Sequence, residues 1–120
     1  MATKTVDDLS LGEQPDEPLV VNDDNLEKTV AAFPFVVVDC WAPWCGPCQM
    51  LSPSIDALAK EMKGNVVFGK LNTDENQKTA MAQRIMAIPT LLIYKNGNLE
   101  DRISGVLPKD VLKGKLEEYI

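Results

Sequence analysis

The chain has 120 residues, 45% of them hydrophobic, enough for one globular domain that buries its own core without disulfide staples. Its net charge is −6, but residues 1–27 hold eight carboxylates against one lysine, so the acidity belongs to the lead segment and nucleic acid is disfavoured as a partner. Three cysteines, an odd number, argue against a secreted disulfide framework, and the longest apolar runs, Phe35 to Val38 among them, are far too short to cross a bilayer.

Met1–Asp8 contains no apolar h-region, so a soluble, unexported, cytoplasmic protein is expected. Residues 1–17 are polar, acidic and without periodicity, with Pro15 and Pro18 bracketing Asp16-Glu17; they predict a flexible acidic lead ahead of a domain spanning 18–120. Leu19-Val20-Val21 reads as a short strand. Asn22 or Asp23 then caps a helix running to about Ala32, with Leu26, Val30 and Phe33 at helical spacing.

Pro34 stops that helix, and Phe35–Trp41 follows as a β-branched run apolar on both faces, the pattern of a central parallel strand covered by helices. Asp39 is the anomaly within it. Leu51, Ile55, Leu58 and Met62 form one helical stripe that Gly64-Asn65 terminates, with Pro53 inside expected to kink the helix. Val66–Leu71 is the next strand, parallel to the first because the connection is of helix length. Residues from about Glu75 to Arg84 predict a shorter helix with Ala80, Met81 and Ile85 as its apolar contacts. Asn96-Gly97 joins Thr90–Lys95 to Asn98–Ser104 as a β-hairpin, and Pro108 opens a last helix whose apolar face is Val111, Leu112, Lys115, Leu116 and Tyr119. The sum is an α/β domain: a central mixed β-sheet of about five strands flanked by about four helices.

Trp44-Cys45-Gly46-Pro47-Cys48 occupies the loop between the central strand and the long helix, at the carboxyl end where sites in open α/β sheets collect. Two thiols with two residues between them close into a disulfide with little backbone movement; they are equally half of a zinc site. A tetrahedral zinc site needs about four ligands. The chain has no histidine and only Cys40 in addition, so metal binding within one chain is disfavoured.

Val38-Asp39-Cys40-Trp41-Ala42 runs into that loop, and Pro53, Lys70-Leu71-Asn72, Ile88-Pro89-Thr90, Lys95-Asn96-Gly97 and Gly105 follow in order. On these residues the chain, from about Leu19 to Ile120, resembles the thioredoxin family. The resemblance implies the thioredoxin fold and a protein-disulfide reductase that cycles between the Cys45/Cys48 dithiol and its disulfide. It implies no bound cofactor, client proteins that contain disulfides, a separate NADPH- or ferredoxin-linked reductase as electron source, and a monomer.

Cys45 at a helix N-terminus favours the thiolate and is the expected nucleophile, Cys48 one turn in is the shielded resolving thiol, and Gly46-Pro47 supply the turn and a preset helical φ. An ionised Asp39 in an apolar strand is costly, so its pKa should rise. The resemblance implies that Asp39 takes the proton of Cys48, that Lys70 pairs with Asp39, and that the Ile88–Pro89 bond is cis. It further implies a docking patch of Trp44, Ile88, Pro89, Gly105 and Val106 around Cys45. Trp41 is expected as a packing wall and Cys40, on the opposite strand face, as a small buried hydrophobe. Two alternatives remain: an oxidant or isomerase, disfavoured because Gly46-Pro47 is the thioredoxin dipeptide, and a thioredoxin-fold binding subunit with incidental cysteines.

Overall fold

The computed structural model describes residues 2–120; Met1, with which the expected acidic lead begins, lies outside the described residues. In chain order the elements are β1 (Leu19–Val20), α1 (Leu26–Ala32), β2 (Phe35–Trp41), α2 (Gly46–Glu61), β3 (Val67–Asn72), α3 (Gln77–Ala82), β4 (Thr90–Lys95), β5 (Asn98–Ser104) and α4 (Lys109–Glu117). The sheet runs β1-β3-β2-β4-β5. β1 and β2 lie parallel to β3, while β4 is antiparallel to β2 and β5 antiparallel to β4, giving the expected five-stranded mixed sheet with four α-helices.

Period-2 alternation along β2 divides the core in two. Phe35 and Val37 face Leu51, Ile55 and Leu58 of α2 and Leu112 and Leu116 of α4, and Asp39 shares their parity. Val36, Val38 and Cys40 face the opposite layer, with Val30 of α1 and Ile85. The hairpin turn forms because Asn96 and Gly97 both adopt positive φ, at 51° and 83°. Gly69 lets β3 approach β1 closely: a Cβ there would lie 2.5 Å from Val21 Cγ2.

Several boundaries differ from expectation for identifiable reasons. α1 begins at Leu26, because the Asn22 side chain accepts from the N–H groups of Asp24 and Asn25 in a turn of its own. Asp23 instead reaches across the fold, accepting from Thr79 N at 2.9 Å and Thr79 Oγ1 at 2.7 Å at the start of α3. Met81 and Val111, expected in apolar contacts, are exposed at 78% and 48%. The lead, expected as a flexible solvated segment, forms a 3-10 turn at Val6–Asp8, packs Val6 and Leu9 against the α1 layer and lets the Lys4 carbonyl accept from Val20 N. Among the described residues no helix is long and apolar enough to cross a membrane.

Candidate active site

β2 ends at Trp41, and the chain turns through Ala42-Pro43-Trp44 before α2 begins at Gly46. Cys45 is therefore the N-cap of α2, where backbone N–H groups lack helical acceptors. Cys48 N donates to Cys45 Sγ at 3.2 Å. The two cysteines are joined as a disulfide, Cα to Cα 5.3 Å. Both are buried in this state, Cys45 at 4% and Cys48 at 2% exposure. In the oxidised form Cys45 is thus covered as well as Cys48, the thiol expected to be shielded. Ala42, Trp41 and Ile88 close around the pair, and the Ile88 carbonyl oxygen lies 3.8 Å from Cys45 Sγ. The Ile88–Pro89 bond is cis.

Trp44 stands out at 72% exposure, with its indole N–H donating to the Asp74 carboxylate at 3.0 Å. Gly105, at φ 91°, donates its N–H to the Pro89 carbonyl at 2.9 Å and brings exposed Val106 to the same side. Pro89 itself is buried, so of the five residues expected in the docking patch it shapes the surface without contributing to it. The ring is enclosed because β4 starts at the next residue, Thr90, in the sheet interior.

Asp39 lies below Cys48 on the α2 face of β2. It is 2% exposed and its Oδ1 has no hydrogen-bond partner. Burial pushes its carboxyl up to about 7, Lys70 pulling it down and Asp56 pushing it up. Lys70 sits beside Asp39 in the β2/β3 register, but its ion pair is not with Asp39. Its Nζ donates to Ser52 Oγ at 2.6 Å and lies 3.1 Å from an Asp56 carboxylate oxygen, an electrostatic contact without hydrogen-bond alignment. The expected Asp39–Lys70 pair is replaced by action at a distance, since α2 offers the ammonium two closer oxygens. A cleft of about 650 Å³ runs past Asp39, lined also by Cys48, Ser52, Asp56, Lys70 and Glu75.

Cys40 is a buried free thiol on the opposite face, as alternation predicts. Burial first, and then the Asp39 charge, push it up to about 12, so it stays a protonated thiol at neutral pH. Among the described residues no cluster of three or more potential metal ligands occurs. Sequence reasoning missed Asp74, Ser52 and Asp56. The spacing of Cys48, Ser52 and Asp56, at i, i+4 and i+8, was the available signal for the last two, since it places them on one face of α2.

Comparison with known proteins agrees with this geometry. A family model described as Thioredoxin matches residues 17–118. The chain is 48% identical over 109 residues to "Thioredoxin M-type, chloroplastic" of Pisum sativum, covering 90% of this chain and 63% of that protein. It is 48% identical over 85 residues to a thioredoxin of Synechocystis, covering 71% of this chain and 79% of that one. The chain thus spans just under two thirds of the pea relative's length. A solved structure, a single-residue variant of thioredoxin from Halobacterium salinarum, superposes with a TM-score of 0.83 at 35% identity, covering 89% of this chain and 94% of the other.

Proposed function

The chain belongs to the thioredoxin family, whose members are thiol-disulfide oxidoreductases, and on that footing we propose that it reduces disulfides in client proteins. The observation that carries the reading is Cys45 at the N-cap of α2, one turn from Cys48, with a buried carboxylic acid below the pair. In the reduced protein the helix N-terminus and the Cys48 N–H stabilise a Cys45 thiolate. That thiolate attacks one sulfur of the client disulfide, a mixed disulfide forms, and the other client sulfur leaves as a thiolate. Asp39 then accepts the Cys48 proton, and Cys48 attacks Cys45 Sγ. The second client thiolate leaves and the Cys45–Cys48 disulfide closes, two electrons having passed to the client.

Clients dock on Trp44, Ile88, Gly105 and Val106, an extended client segment pairing with the backbone of Ile88 as an added strand. No bound cofactor enters the cycle. A separate thioredoxin reductase returns the two electrons, and the proton held on Asp39 goes back to Cys48 as the dithiol reforms with Cys45 as thiolate. We place the cycle in a reducing compartment, the cytoplasm, because an unpaired third cysteine accompanies a lone CxxC.

The test follows reduction of a protein disulfide by the protein and a regenerating dithiol. Wild type is expected to be active, Cys45→Ser inactive, and Cys48→Ser trapped as a mixed disulfide through Cys45. Trapping through Cys40, or activity that survives Cys45→Ser, refutes the assignment.

A further inference from the structure

Cys48, Ser52 and Asp56 descend one face of α2 at successive turns and line the same cleft as Asp39 and Lys70. Lys70 and Asp39 are register neighbours on adjacent parallel strands, so their side chains leave the sheet on the same side. An ammonium there has every electrostatic reason to pair with the carboxylate next to it. Instead Lys70 donates to Ser52 Oγ at 2.6 Å and leans on Asp56 at 3.1 Å, while Asp39 Oδ1 is left without a partner. The Asp56 oxygen that faces Lys70 is buried and takes no hydrogen bond, so Asp56 shares the ammonium with Ser52; the serine contact is the shorter of the two and the one with hydrogen-bond geometry.

We propose that Ser52 is a positioning residue: its hydroxyl, one helical turn below Cys48, holds the Lys70 ammonium off Asp39 and keeps the Asp39 carboxyl free to exchange a proton with Cys48. The inference rests on the proton-accepting role given to Asp39 above. An Asp39 in direct ion pair with Lys70 would remain a carboxylate through the whole neutral range and be a poorer base toward a thiol. The charged groups that face Asp39 are few. β3 brings Lys70, α2 brings Asp56 and the Cys48 thiol, and the turn after β3 brings Glu75 to the cleft. From β4 the register neighbour is Leu91, without charge, and Cys40 points to the other layer. Ser52→Ala alters none of these charges, and a Lys70→Met background separates relocation of Lys70 from water entry at the vacated site.

The experiment titrates the Asp39 carboxyl carbon by NMR in the oxidised full-length chain, where Cys48 does not titrate, from about pH 4 to about pH 9. The Asp39 midpoint is expected to fall by about half to one pH unit in Ser52→Ala, as the ammonium closes on the carboxylate. Ser52→Thr restores the wild-type midpoint. In a Lys70→Met background Ser52→Ala leaves the midpoint where Lys70→Met alone puts it. An unmoved midpoint in Ser52→Ala overturns the proposal, and so does an equal fall in the Lys70→Met background, which would trace the effect to water entry. The pH profile of protein-disulfide reduction by Ser52→Ala is expected to move with the midpoint. A midpoint that moves while the profile stays fixed upholds the placement of Lys70 by Ser52 and refutes the proton role of Asp39.

Discussion

Asp39 lies in a strand whose other members are Phe, Val, Cys and Trp, and its raised pKa is a statement about stability as well as chemistry. An acid whose folded pKa of about 7 exceeds its unfolded value of 3.8 keeps a proton that the unfolded chain has lost. Stability is therefore unpenalised below the unfolded value, falls as pH rises between the two, and carries the full cost above about 7. That cost is about 4 kcal/mol at most, and solvent in the adjoining cleft reduces it. Asp39→Asn keeps the shape and removes the titration. At about pH 8 it should raise the unfolding free energy of the oxidised protein by about 2–4 kcal/mol and flatten the decline, as read by denaturant titrations at intervals of pH. A variant with the wild-type slope would remove Asp39 as the cause. Trp44 offers a second test at this scale. With the indole anchored on Asp74 and its face open, Trp44→Ala should lower kcat/KM for a protein disulfide by about tenfold, while reduction of a small dithiol-reactive disulfide changes much less. Equal losses on both substrates would place Trp44 in the chemistry instead of in docking.

At the scale of elements, α2 joins the two halves of the site. Its first turn caps on Cys45, its stripe of Leu51, Ile55 and Leu58 anchors it to the sheet, and the neighbouring stripe of Cys48, Ser52 and Asp56 lines the cleft that runs past Asp39. The apolar stripe was legible in the sequence because burial enforces a 3.6-residue period; the polar stripe was not, because polar residues at that spacing ordinarily face solvent. α1 and α3 show a different limit. α1 starts late because Asn22 closes a turn of its own, and the start of α3 is met by Asp23, which accepts from Thr79, 56 residues away, a partner that local capping rules do not see. β1 and β3 approach each other over Gly69. Gly69→Ala puts a Cβ against the stiff, β-branched Val21, and the oxidised protein should lose about 1–3 kcal/mol in denaturant unfolding. An unchanged midpoint would mean that β1 gives way at no cost.

Across the whole molecule the lead packs on the α1 layer, where Lys28 pairs with Asp7, and the proposed docking side carries Trp44, Ile88 and Val106. The lead also covers an otherwise unpaired strand edge through the Val20–Lys4 hydrogen bond. Removing residues 2–9 uncovers that edge and the apolar contacts of Val6 and Leu9. The expected loss is about 1–2 kcal/mol, a fall in Tm on the order of 5 °C by scanning calorimetry. A Tm that does not move would return these residues to solvent. The close-set Cys45 and Cys48, the two-faced central strand, the Asn-Gly hairpin and the anomaly of Asp39 were legible along the chain, because each depends on short-range spacing or on the cost of burying a charge, while the redox role of the pair came through the family resemblance. That Lys70 turns to Ser52 and Asp56, that Pro89 is enclosed, that Met81 faces outward and that both cysteines of the disulfide are covered emerges in the folded chain alone. Those outcomes are competitions between partners brought together from distant parts of the chain, and spacing along a sequence does not say which partner is nearer.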